Sequence, residues 1–109
     1  MARPKVIKYA GRTIPVVWVN FSAGNPETCS STTYGVVFPE GSTYGLKIFI
    51  NTLYPEEQQR STLLSELWHV VQFTLNIEKY NHNNMHIIVE NIWAMVQTNK
   101  WLKTYIWGK

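Results

Sequence analysis

The residues best equipped for chemistry lie in Ser61-Thr62-Leu63-Leu64-Ser65-Glu66-Leu67-Trp68-His69-Val70-Val71-Gln72, a stretch with helical spacing of its apolar positions. In a His-Glu-x-x-His helix, two His one turn apart project from one face and bind one zinc ion. The Glu beside the first His then reaches the zinc-bound water as general base. Glu66 and His69 hold the general-base and second-ligand positions of that pattern, and Ser65 holds the first-ligand position. A Ser hydroxyl is neutral and does not ionise near neutral pH, so it is a poor zinc ligand. The competing reading makes Glu66 and His69 an ordinary pair one turn apart on a solvated helix face, without metal.

Two more residues of ligating type fall on a second helical stretch, and they join His69 only if their face meets it. Glu90, in Val89-Glu90-Asn91-Ile92, lies on a second helical stretch, and His86 shares its face one turn earlier. His69, His86 and Glu90 would make a replacement set of three. The plainer reading leaves His86 and Glu90 as a surface pair. His82 falls in the preceding loop and is the lesser candidate. Ser65 near His69 has the residue types of a nucleophile and base, but no orienting group or oxyanion motif accompanies them. The single Cys29 excludes an internal disulfide and a cysteine-rich zinc site, and it reads as an inert loop or buried thiol.

With His in place of Ser65, the helix would read Thr-Leu-Leu-His-Glu-Leu-Trp-His. That resembles the active-site helix of small zincin-type metallopeptidase-like proteins, which are common among bacteriophage genes. The resemblance extends to a hairpin over residues 6–19, to Tyr44-Gly45, and to the strand Lys47-Ile48-Phe49-Ile50 shortly before the helix. It also places Glu90 as third ligand and Asn99-Lys100-Trp101-Leu102 at the helix end. The family implies a minimal zincin-like domain over residues 1–109. With Ser65 at the first-ligand position, it implies a scaffold without peptidase activity, holding zinc weakly or not at all. Such a scaffold would act by binding a protein partner, as a phage protein against a host or host-defence component in the host cytoplasm. The alternative is an active zinc-dependent hydrolase with Glu66 as general base and His69, Glu90 and His86 as ligands.

The positioning elements follow from patterning. Val6-Ile7-Lys8-Tyr9 and Ile14-Pro15-Val16-Val17-Trp18-Val19 flank Ala10-Gly11-Arg12-Thr13 and read as a β-hairpin. Pro15 lacks a backbone donor and predicts an edge strand or a bulge. Residues 20–33 read as a polar loop. Residues 34–38 and 46–50 read as two more strands, turning at Pro39-Glu40-Gly41-Ser42. In the second of these, Lys47 and Phe49 face one side and Leu46, Ile48 and Ile50 the other. Pro55, Glu56 and Glu57 suit a helix start, and this helix is expected to reach about Leu75. Two series, Leu64/Trp68/Val71/Leu75 and Leu63/Leu67/Val70, recur along it at helical spacing. A polar connection over 76–84 leads to a second helix from about Met85 through Ile88, Ile92, Met95 and Val96, ending near Asn99 or continuing through Leu102. Strands first and helices after predict an α+β domain with a small antiparallel sheet carrying two helices.

Composition bounds the rest. The chain has 109 residues, 45% of them hydrophobic, which is one domain with a real core and excludes disorder. Its apolar runs are far shorter than a membrane span requires. Met1-Ala2-Arg3-Pro4-Lys5 lacks the apolar run of a signal peptide, so a cytoplasmic protein is expected. The net charge of +3 permits an acidic partner without demanding one. Five Trp among few charged residues are hard to hide in a small domain and point to an interface. Trp101, Tyr105 and Trp107, interleaved with Lys100, Lys103 and Lys109, are the candidate partner-binding residues. The same stretch would suit weak nucleic-acid binding, by phosphate neutralisation and base stacking.

Overall fold

The computed structural model describes residues 3–23 and 30–107. Strand β1 (Val6–Tyr9) turns tightly into β2 (Arg12–Val19) through Ala10 and Gly11, both with positive φ, 51° and 74°. Two successive left-handed residues give a turn whose twist matches that of the flanking strands. The expected hairpin is therefore present, with a two-residue turn and β2 starting earlier than its apolar run. Strand β3 (Gly35–Phe38) and β4 (Lys47–Asn51) form a second antiparallel pair. Three helices follow: α1 (Glu56–Leu75), α2 (His82–Thr98) and α3 (Lys100–Trp107). The middle of the loop expected over 20–33, including Cys29, lies outside the described residues.

The α+β class is as expected, but the sheet is mixed rather than antiparallel. Strand order is β1-β2-β4-β3, and β2 runs parallel to β4. The connection after β2 passes the place that β4 fills and starts β3 at the far edge. Strand β4 then returns between them, in the direction of β2. Pro15 sits where β2 changes partners. The first half of β2 pairs with β1 and the second half with β4, from Val16 onward. The Val16 N–H donates to the Lys5 carbonyl on the β1 side, at 2.8 Å. Backbone groups alternate in direction along a strand, so the Pro15 nitrogen points the other way, beyond the end of β4. An interior strand thus accommodates a residue that has no N–H.

The helices cover one face of the sheet. Ile7, Ile14, Ile48 and Ile50 meet Leu63, Leu67, Val70 and Val71 of α1, Ile88, Met95 and Val96 of α2, and Leu102 and Tyr105 of α3. Of the two apolar series on α1, Leu63/Leu67/Val70 is the core stripe, joined by Val71. Leu64 and Leu75 are exposed. On the opposite sheet face, Phe49 packs edge-on against Phe38 and Tyr44, as the alternation in β4 predicts.

Two asparagines set helix boundaries that apolar periodicity misses. The Asn81 side chain accepts from the Asn84 N–H at 2.9 Å, so α2 begins at His82 rather than near Met85. Asn99 ends α2 in an extended conformation and separates it from α3, giving three helices instead of two. Its amide accepts from the Lys8 N–H at 2.8 Å and donates to the Lys8 carbonyl at 2.9 Å. A side chain thereby pairs with the outer edge of β1 as a neighbouring strand would, which also blunts that edge. No described helix is long and apolar enough to cross a membrane.

Candidate functional site

Glu66 lies on the side of α1 that faces β3, and only 8% of it is exposed. The two elements approach closely because residue 35 is Gly. A Cβ there would stand 2.6 Å from Thr62 Cγ2, 3.0 Å from the Phe49 carbonyl oxygen and 3.4 Å from Glu66 Cγ. An open groove of about 380 Å³ runs beside this contact, lined by Tyr34, Gly35, Gln58, Ser61, Thr62, Ser65 and Glu66. The Gln58 amide donates to Thr62 Oγ1 at 3.2 Å and fixes part of its wall. Among the described residues, none supplies a hydrogen bond or ion pair to the Glu66 carboxylate. Burial raises its pKa above the ordinary carboxylate value, and the nearby His69 offsets this in part.

Strand β3 is the sheet edge beside this groove. The Asn51 N–H donates to the Tyr34 carbonyl at 2.9 Å, so the backbone groups of residue 34 point toward β4. By alternation along the register, those of Val36 and Phe38 point the same way. The N–H and C=O of Gly35 and Val37 therefore face outward, along an edge that pairs with no other strand among the described residues. Asn51 anchors this end of the sheet. Its buried side chain accepts from the N–H groups of Phe21 and Leu53 and donates to the carbonyls of Ser31 and Thr33. All four hydrogen-bonding positions of the amide are filled.

His69 is half-buried, and its Nδ1 lies 2.9 Å from Gln72 Oε1. The Gln72 amide donates to the Tyr80 hydroxyl at 2.7 Å, which leaves Oε1 as the acceptor. Nδ1 of neutral His69 therefore carries the proton, and Nε2 keeps its lone pair. Ser65 is exposed on the groove wall. His86 and Glu90 pair with one another at 3.1 Å, and each side chain is 66% exposed. Among the described residues, no three His, Cys, Asp or Glu side chains form a metal-binding group. His69, His86 and Glu90 are thus not assembled as a ligand set, and a neutral Ser65 adds no charge to one. His82 is the first residue of α2 and exposed.

The aromatic candidates divide. Trp101 and Trp107 are 63% and 52% exposed on α3, and Trp93 is 59% exposed on α2. Tyr105, expected beside them as an anchor, is fully buried. It sits on the inner face of α3 with Leu102, in edge-to-face contact with Trp18 at 5.2 Å and under the Arg60 guanidinium. It is a core residue, not a docking residue. Trp68 is half-buried and stacks on Tyr80.

Sequence reasoning did not select Tyr34, Gly35, Gln58 or Thr62. The visible signal was Gly at the start of an apolar strand, which marks close approach of another element. The Tyr-Gly pair at the groove is Tyr34-Gly35. Tyr44-Gly45 instead lies in the β3–β4 connection, where Tyr44 packs on Phe38 and Phe49. Comparison with protein-family models, with curated proteins and with solved structures finds no match to this chain.

Proposed function

We propose that this chain is a zincin-like scaffold that acts by holding a segment of a protein partner rather than by hydrolysing it. The observation that carries this reading is the free edge of β3 lying beside the Glu66 groove of α1. The outward N–H and C=O groups of Gly35 and Val37 offer hydrogen bonds to an extended chain, which would add to the sheet as a further strand. Helix α1 forms one wall of the track, and Gly35 brings that wall within contact distance. Ser65 at the first-ligand position, and His86 and Glu90 paired with each other in solvent, support binding over metal-assisted hydrolysis.

Site-specific photocrosslinking tests the location. Tyr34 is exposed at the groove, and Thr43 is exposed in the β3–β4 connection. A crosslinker at position 34 is expected to capture a protein in cells that contain the partner, and one at position 43 is not. Equal capture from both positions, or capture from 43 alone, contradicts the reading.

A further inference from the structure

We propose that the groove between α1 and β3 selects a cationic side chain, Lys or Arg, in the bound segment and that Glu66 is its counter-ion. This rests on the strand-addition reading above and adds what that strand must carry. The ideal Cβ direction of Gly35 points at Thr62 and Glu66, so Gly35 belongs to the sheet face covered by α1. Residues directly opposite one another on paired strands project to the same face. The residue of an added strand lying opposite Gly35 would therefore send its side chain toward Glu66. Gly35 itself fills none of that space.

The chemistry of the groove fits a cation. Glu66 is nine-tenths buried and has no hydrogen-bond or ion-pair partner among the described residues. Among the described residues, no Lys or Arg lines the groove. The hydroxyl oxygens of Ser61, Thr62 and Ser65 can accept the remaining hydrogens of an ammonium or guanidinium group. A desolvated carboxylate gains most from a full positive charge with several donors, as Arg supplies. A neutral side chain leaves it short of partners, and an acidic one repels it.

The probe is a set of capped five-residue peptides, acetyl-Thr-Val-X-Val-Thr-amide, with X as Arg, its neutral isostere citrulline, or Glu. Binding is read from the backbone amide resonances of Gly35 and Val37 in the full chain. Arg is expected to bind about tenfold tighter than citrulline, the usual scale for a charge-assisted hydrogen bond, and Glu weakest. Glu66→Gln should lower Arg affinity to the citrulline level and leave citrulline unchanged. Ser65→Lys, at an exposed position that leaves the core intact, should also abolish the Arg preference by placing a cation in the groove. Equal binding of Arg and citrulline peptides at Gly35 and Val37 overturns the cation pocket while leaving strand addition standing. No shift of either amide with any peptide overturns both. An Arg preference that appears only after a metal chelator is added would assign the groove to a metal ion instead and overturn the proposal.

Discussion

At the scale of single residues, Glu66 and Asn51 show two ways of burying polarity. Asn51 is buried with every hydrogen-bonding position filled, and Glu66 is buried with none filled by a described residue. Removing the first should cost stability. Asn51→Ala orphans the N–H groups of Phe21 and Leu53 and the Thr33 carbonyl, while the Ser31 carbonyl keeps the Tyr54 hydroxyl, and it is expected to lower unfolding free energy by about 3 kcal/mol in urea denaturation. Glu66 works in the opposite direction. Its folded pKa is raised, so the folded chain holds this proton more tightly than the unfolded chain does. The stability it confers is complete below the unfolded pKa and is lost as pH rises through the folded value. Glu66→Gln cannot ionise, so its stability relative to the natural chain should increase as pH rises from about 4 toward 7. A constant difference across that range would show that the carboxyl is not desolvated. His86 belongs to the solvent-exposed pair with Glu90, so His86→Ala should leave zinc affinity unchanged in a competition titration. A loss of affinity would place it in a metal site.

At the scale of elements, what could be read from sequence depended on whether the cause was local. The tight β1–β2 turn, the start of α1 and the core stripe Leu63/Leu67/Val70 follow from turn chemistry and periodicity within each segment. The break between α2 and α3 does not, because the Asn99 amide there exchanges a pair of hydrogen bonds with the backbone of Lys8, far away in the chain. Asn99→Ala, which removes both, is expected to destabilise the fold by about 2 kcal/mol in the same denaturation experiment. It should also speed hydrogen exchange at the Lys8 amide, and unchanged exchange there would contradict the edge-pairing role. Strand β3 illustrates the same limit for the candidate site. Glu66 and His69 stand out as residue types, but the partners of Glu66 in the groove come from the start of β3 and the first half of α1. Only the packing of one element on the other reveals them. Gly35→Ala tests that packing. Its Cβ would meet the Thr62 side chain of α1 and the backbone oxygen of Phe49 in β4, so β3 and its neighbours on both sides must give, at a cost of about 1–3 kcal/mol. The groove should distort with it, and crosslinking from position 34 should fall.

At the scale of the whole molecule, the mixed sheet leaves its two edges in different states. The β1 edge is met by Asn99, and the β3 edge is bordered by α1 with the backbone groups of Gly35 and Val37 directed outward. That difference, which no single segment encodes, is why one edge is assigned a partner and the other is not. The exposed aromatics Trp93, Trp101 and Trp107 belong to α2 and α3 rather than to the groove. The most direct test of binding without metal-assisted hydrolysis is the zinc content of the purified chain, measured by elemental analysis together with hydrolysis of an unfolded protein substrate. Zinc far below one ion per chain, with no hydrolysis above that of Glu66→Gln, is the predicted result. Near-stoichiometric zinc with hydrolysis that disappears in Glu66→Gln would contradict it and establish the chain as a zinc hydrolase.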